Sequence, residues 1–292
     1  MLELETPAAM REWADRTRAM GRRIGLVPTM GYLHAGHLSL VAEARRRADA
    51  CVASIFVNPM QFGAGEDLST YPRNLDGDRA ALRQAGVEAL YLPSAASMYP
   101  SGFQTEVTVT GVTAGLCGRS RPGHFRGVTT VVAKLFNAVK PHVAVFGEKD
   151  FQQLAAIRRM TADLDLGIEI AGVPIVREAD GLAMSSRNAY LSAPERTAAR
   201  CLSRALAAGR DGLAAGARDA GAVLDRVRAV LDAEPLACID YAELVDAETI
   251  EPLETIDRPA LLALAVFIGR TRLIDNTVLI LEGAAPSAPR MH

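Results

Sequence analysis

The stretch VPTMGYLHAGHLSLVAEAR, Val27 to Arg45, decides how the first half of the chain is built. An apolar run enters a turn of small residues and emerges with helical spacing. Leu38, Leu40, Val41 and Ala44 share one face, while Arg45, Arg46 and Arg47 point to water. That pattern predicts a strand over Arg23 to Pro28 and a helix over His37 to Ala48. His34 and His37, three residues apart around the first helical turn, can share a face. Their ring N–H groups and the free backbone N–H groups of a helix start would suit a phosphate. Gly36 between them lets a ligand approach the backbone. Taken alone, HAGH reads equally well as an ordinary helix start with partly exposed histidines.

The same alternation continues outward. VASIFV, Val52 to Val57, is a continuous β-rich run of the kind buried on both faces of a parallel sheet. A helix over Leu75 to Gln84 ends at Gly86, and a strand follows over Val87 to Leu92. Further on come a helix over Val128 to Val139, a strand over His142 to Phe146, a helix over Phe151 to Leu164 and a strand over Ile168 to Val176. Strands alternating with helices predict an α/β fold, a doubly wound parallel sheet. Beyond it Pro194 to Leu231 reads as helix broken at Gly209, Gly212, Gly216 and Gly221. Strands are expected over Ile239 to Val245, Leu261 to Ile268 and Leu279 to Leu281. The expected organisation is a first domain over 1–176, a smaller α+β domain over 177–283, and a disordered tail over 284–292 rich in proline.

Composition narrows the function. The 292 residues are 49% hydrophobic and 23% charged, enough for a core without disulfides or metals. With 32 basic and 34 acidic residues the formal charge is −2, so no bulk field recruits nucleic acid or membrane. Anion binding must be local. Cys51, Cys117, Cys201 and Cys238 are scattered without a CxxC pair, as in reduced thiols. The chain opens on Glu3 and Glu5 without a basic-then-apolar leader, and its most apolar run, Ala260 to Ile268, is too short to span a bilayer. A cytoplasmic protein is expected.

Four further stretches carry chemistry at strand ends or helix starts. SIFVNPMQF presents Gln61, whose amide both donates and accepts. FGEKDFQQL follows a strand directly, so Lys149 emerges at a carboxyl end where a cation reaches phosphate. EADGLAMSSRN supplies Ser185, Ser186 and Arg187, two hydroxyls and a guanidinium. GRSRPGHFRGV offers Arg119, Arg121, His124 and Arg126 before a helix, either as cover for an anion or as a solvated loop. Met30, Met60, Phe62 and Tyr71 are candidate apolar walls. Each has a bland reading as core, cap or solvated surface. Their shared placement on one sheet favours a single polyphosphate and carboxylate site.

These residues carry a family resemblance. HAGH resembles the HxGH signature of nucleotidyltransferases and class I aminoacyl-tRNA synthetases, and MSSRN stands where their KMSKS-type signature does. More narrowly, PTMGYLHAGH, SIFVNPMQF, YPR, RPGHFRGV, FGEKDFQQL and GLAMSSRN, in this order, resemble the pantoate–β-alanine ligase family. The match runs from about Leu26 to Tyr190 and continues weakly through RLIDN, Arg272 to Asn276.

The resemblance implies a Rossmann-like first domain binding ATP and pantoate, a second domain acting partly as a lid, a homodimer, and Mg²⁺ with the nucleotide. The implied reaction forms pantoyl adenylate and pyrophosphate, then pantothenate and AMP after attack by β-alanine. It places ATP against Met30, Gly31, Tyr32 and Leu33, then His34, Ala35, Gly36 and His37. Gly147, Glu148, Lys149 and Asp150, with Val176 and with Met184, Ser185, Ser186 and Arg187, complete the ATP contacts. Gln61 and Gln153 are implied to hold pantoate and β-alanine. Catalytic roles fall on His37, His34, Lys149, Ser185, Ser186 and Arg187, with His37 as donor of a hydrogen bond first and of a proton second. The second signature lacks the leading lysine of KMSKS, which leaves Lys149 to supply that charge. Asp76 and Asp78 receive no metal role, and no protein ligand to a metal is assigned. A nucleotidyltransferase without amine ligation, or a silent nucleotide-binding module, are the competing functions. A dehydrogenase is disfavoured because no GxGxxG follows the first strand.

Overall fold

The computed structural model describes residues 1–281. A short strand, β1 (Leu2–Leu4), leads to α1 (Pro7–Ala19), capped by Thr6, whose hydroxyl accepts from the Ala9 N–H at 3.2 Å. Both lie ahead of the first strand expected from sequence. The opening stretch forms β2 (Ile24–Thr29) and α2 (Ala35–Arg47). Next come β3 (Ala50–Ile55), a 3-10 turn at Pro59–Gln61, α3 (Leu75–Gln84) and β4 (Ala89–Tyr91). Two short helices, α4 (Ala95–Met98) and α5 (Leu116–Ser120), precede α6 (His124–Val139). β5 (Val143–Gly147), α7 (Phe151–Asp163) and β6 (Glu169–Val173) complete this part.

Its six strands are all parallel, in the order β1-β4-β3-β2-β5-β6. This is the doubly wound, Rossmann-like sheet expected. Alternation along β2 sends Leu26 to one face, with α1, α6 and α7, and Val27 to the other, with α2 and α3. Chain order reverses between β2 and β5, so the crevice beyond their carboxyl ends is the switch point of the sheet.

The first compact unit runs from Met1 to Tyr190, not to 176. After β6 the chain makes a hairpin in which the Met184 N–H donates to the Val176 carbonyl at 2.9 Å and Arg177 bridges Ala183. A boundary at 176 would cut that hairpin from the sheet it returns to.

The second unit begins at Leu191. It contains α8 (Ala193–Ala199), α9 (Cys201–Ala214), α10 (Ala220–Asp232) and an antiparallel sheet of β7 (Ala237–Asp246), β8 (Ala260–Ile268) and β9 (Thr271–Leu279). Three of the four glycines expected to break the helical region do not. Gly209 and Gly212 sit inside α9 and Gly221 in the first turn of α10; only Gly216, at φ 95°, ends a helix. A Cβ on Gly209 would lie 2.5 Å from the Leu262 side chain, so this glycine permits close packing of α9 on the sheet. The last strand starts at Thr271, earlier than the expected Leu279, because buried Asp275 and Asn276 disguise it as polar surface. The tail expected over 284–292 lies outside the described residues. No helix among the described residues is long and apolar enough to cross a membrane.

Gly127 is where α6 meets the turn bearing Gln61. A Cβ there would stand 2.3 Å from the backbone oxygen of Met60. Alanine in a helix gains about 1 kcal/mol over glycine, but overpacking against immovable backbone costs about 1–3 kcal/mol. Gly127→Ala should therefore destabilise the protein, whereas Gly111→Ala, with open space around its Cβ, should be near neutral. Urea unfolding midpoints of the two variants check this ordering.

Candidate active site

The loop between β2 and α2 is held from below. Gly31 and Tyr32 are both left-handed, at φ 86° and 52°, which turns successive N–H groups one way. The Tyr32 and Leu33 N–H groups donate to Asp78 Oδ2 at 2.8 Å and Oδ1 at 2.7 Å. Asp78 is buried at 3% exposure in the first turn of α3, where the helix dipole favours an anion. A left-handed non-glycine residue costs about 1–2 kcal/mol. Hydrogen bonds to a charged acceptor contribute about 1.5–3 kcal/mol each, so the strained loop is stable.

His34 caps α2. Its Nδ1 accepts from the Gly36 N–H at 3.2 Å, and His37 Nδ1 accepts from the His34 N–H at 3.3 Å. The His37 and Leu38 N–H groups donate to the His34 carbonyl. The expected reserve of free backbone donors at this helix start is thus largely spent within the loop. The rings add donors of their own. With both Nδ1 atoms accepting, each neutral imidazole carries its proton on Nε2. Burial, then the charge of Lys149, lowers His34 to about 4. Burial, then His34 and Lys149, lowers His37 to about 3. Two neutral rings with centroids 4.1 Å apart line one cavity.

The MSSR segment returns to this loop. Ser186, itself buried, donates to the Tyr32 carbonyl at 3.1 Å, while Ser185 Oγ accepts from the Arg187 N–H at 3.3 Å. Arg187 is held by Asp67 through Nε at 2.9 Å and Nη2 at 2.8 Å, with its guanidinium 5.6 Å from the Tyr71 ring centre. Lys149 and Asp150 enter from the 3-10 turn Glu148–Asp150 that follows β5.

On the far side the turn Pro59–Gln61 presents Gln61. Its backbone carbonyl accepts from His124 Nδ1 at 2.8 Å and Arg121 Nη2 at 3.2 Å. Arg121 is also paired with Glu66 and donates toward His124 Nε2. Burial, then the Arg121 charge, lowers His124 to about 4. The cover or solvated loop expected of Arg121 and His124 is therefore a buried brace behind Gln61. Arg119 and Arg126 are exposed, the latter paired with Glu106.

One cavity at the switch point gathers most of the residues singled out from sequence. Met30, His34, Gly36 and His37 line it, with Gln61, Gly147, Lys149 and Asp150. Gln153, Val176, Met184, Ser185, Ser186 and Arg187 complete that set. Gly31, Tyr32, Leu33, Ala35 and Glu148 do not face it. Tyr32 and Leu33 are turned to Asp78, Ala35 is exposed on the helix, and Glu148 packs toward Gly172 of β6. Sequence reasoning assigned no site role to Asp78, Asn58, Glu66 or Asp67, which hold site residues in place. The nearest signal was their position beside the motifs. Among the described residues no group of three His, Cys, Asp or Glu side chains is placed to hold a metal ion.

Comparison with known proteins agrees with this architecture over nearly the full length. The family model for pantoate-beta-alanine ligase matches residues 3–278. The pantothenate synthetase of Geobacter sulfurreducens is 58% identical over 276 residues, 94% of this chain and 98% of that protein. The crystal structure of pantothenate synthetase from Thermus thermophilus superposes with a TM-score of 0.90 at 48% identity, covering 95% of this chain and 99% of that one. That of the Francisella tularensis pantoate-beta-alanine ligase, complexed with beta-gamma ATP and beta-alanine, gives a TM-score of 0.78 at 31% identity, covering 98% and 100%. Matched by the family model over residues 3–278 and more than half identical to a relative across 94% of its length, the chain belongs to the pantoate–β-alanine ligase family.

Proposed function

We propose that this protein joins pantoate to β-alanine at the expense of ATP, through a pantoyl adenylate, in the cavity between β2 and β5. The observation that carries this reading is the donor set lining one cavity: two histidines, Lys149, Ser185 and Arg187, together with Gln61 and Gln153. In the first step a pantoate carboxylate oxygen attacks the α-phosphorus, the bond from that phosphorus to the bridging oxygen breaks, and pyrophosphate leaves. In the second, the β-alanine amine attacks the acyl carbon, the acyl–oxygen bond breaks, AMP leaves, and the amine loses a proton to solvent. In-line displacement of this kind needs positioning and charge neutralisation more than covalent help.

The rings of His34 and His37 serve as Nε2–H donors to the phosphates. Lys149 and Arg187 supply full positive charge, and the Ser185 hydroxyl a further donor. Arg187 spends Nε and Nη2 on Asp67, which leaves Nη1 to face a ligand. Ser186 acts mainly by tying its segment to the Tyr32 carbonyl. Gln61 and Gln153 hold the hydroxyl-bearing acid. Mg²⁺ usually keeps several waters and binds through one or two carboxylates plus substrate phosphates. Among the described residues, the one acid lining the cavity is Asp150, which suits such an ion arriving on the triphosphate, where it would neutralise phosphate charge. We assign the working form as a cytoplasmic homodimer with the second unit as a partial lid, on family membership alone.

Loss of one preorganised donor typically slows a reaction about 10²–10³-fold. His37→Ala should slow pantoate-dependent ATP–pyrophosphate exchange by at least that much while the protein remains folded. Near-normal adenylate formation in a rapid-quench assay would refute the role. ATP–pyrophosphate exchange that needs pantoate, with AMP appearing only after β-alanine is added, separates this ligase from a simple nucleotidyltransferase.

The low values for His34 and His37 make a second test. If His37 worked as an imidazolium acid from about 3, the charged form would shrink tenfold for each pH unit above that. The rate constant kcat/KM for ATP would then fall steeply through neutrality. Neutral donors predict instead a flat profile from about pH 7 to about pH 8.5, measured by steady-state exchange.

A further inference from the structure

Gln61 can face a ligand with either end of its amide, and nothing in its own chemistry chooses between them. The choice is made behind it, at Asn58, which is 1% exposed. Asn58 Oδ1 accepts from the Met60 N–H at 3.3 Å and from the Tyr99 hydroxyl at 2.7 Å. Asn58 Nδ2 donates to the Gly127 carbonyl and to Gln61 Oε1, both at 3.0 Å. A backbone N–H can only donate and a backbone carbonyl can only accept, so the Asn58 amide has one allowed orientation. Its NH₂ group therefore meets Gln61 and draws the oxygen of that side chain toward it. Gln61 Nε2 is left on the other side, with one N–H near Met30 Sδ at 3.4 Å and the second N–H available to a ligand.

We infer that Asn58, turned one way by the Met60 N–H and the Gly127 carbonyl and anchored there by the Tyr99 hydroxyl as a positioning residue, sets the polarity of Gln61, so that the cavity presents an N–H to a substrate hydroxyl or carboxylate oxygen. This rests on the ligase reading above and sharpens it: the pocket selects an acid bearing an oxygen acceptor at that place. Tyr99 follows α4 and does not line the cavity; its own N–H closes that helix on the Ala95 carbonyl. Burial pushes its hydroxyl well above the usual range, so it stays protonated as a donor. Its ring is gripped edge-on by Phe103, with centroids 5.1 Å apart, and the Lys134 ammonium lies 5.9 Å from its centre. The hydroxyl is thus delivered to Asn58 by a fixed ring. When it is removed, the Met60 N–H is left as the longer of the two bonds holding Asn58 Oδ1.

The test is discrimination. Tyr99→Phe keeps the ring and deletes the hydroxyl. A neutral hydrogen bond contributes about 1 kcal/mol, which is about fivefold. The kcat/KM for pantoate relative to an analogue lacking one hydroxyl should drop about that much in the variant, through KM for pantoate, with KM for ATP unchanged. A purely structural role would raise both KM values and leave the ratio alone. Phe103→Leu, which loosens the ring that delivers the hydroxyl, should shift the ratio in the same direction by less. A Tyr99→Phe ratio equal to wild type with either deoxy analogue overturns the inference. Wild-type protein without pantoate-dependent exchange would instead overturn the ligase reading, and this inference with it.

Discussion

A single buried carboxylate sets the geometry of the site. Asp78 accepts from two consecutive N–H groups of the loop between β2 and α2, and that loop ends in His34, one turn before His37 in α2. The pairing settles two matters at once. It stabilises a backbone that Tyr32 alone would resist, since its φ of 52° is unfavourable for a residue with a Cβ. It also gives two converging N–H groups an anion of the protein's own. The Tyr32 and Leu33 N–H groups are thereby withdrawn from any phosphate. Ser186 repeats the arrangement from the other side, binding the Tyr32 carbonyl and tying the second signature to the first.

Economy of donors follows from this. Helix starts are commonly treated as reservoirs of free N–H groups, but here capping consumes them. What the cap gives back is tautomeric certainty. Each histidine spends Nδ1 as an acceptor, so the proton must lie on Nε2, and burial with Lys149 nearby keeps the rings neutral. Neutral rings bind phosphate less strongly than imidazolium would, yet they need no reorganisation when charge moves during the reaction. For a step limited by charge distribution, fixed donors are the better instrument.

The parts of this design legible in sequence are those written in short-range pattern. Strand and helix periodicity placed the parallel sheet, and Leu75–Gln84 is closed by its own Gly86. Motif residues could be placed at strand ends because the sheet brings strand ends together. What escaped is written in long-range pairing. Asp78 looks like any acid in a first helical turn, and only its burial shows that it serves a loop more than forty residues away. Glu66 and Asp67 look like solvated surface until Arg121 and Arg187 are seen against them. Gly209 and Gly212 look like helix breaks, because a sequence does not display the neighbour that demands a missing Cβ. The boundary at Tyr190 depends on a hairpin whose return contact is with residue 32.

The two arginines near the cavity show why pairing does not mean neutralisation of the site. Arg121 gives Nε and Nη2 to Glu66, Nη2 to the Gln61 carbonyl and Nη1 to His124. Its donors are spent on protein, and it acts as a brace. Arg187 gives only one edge of its guanidinium to Asp67, while Tyr71 supports its face. Each acid meets its arginine through two hydrogen bonds in a partly buried pair, a forked contact that fixes geometry. The acid fixes the direction in which the remaining N–H groups point. Charge recognition in this cavity is therefore decided by which guanidinium edge the protein leaves open, and of these two arginines Arg187 has an edge left to offer.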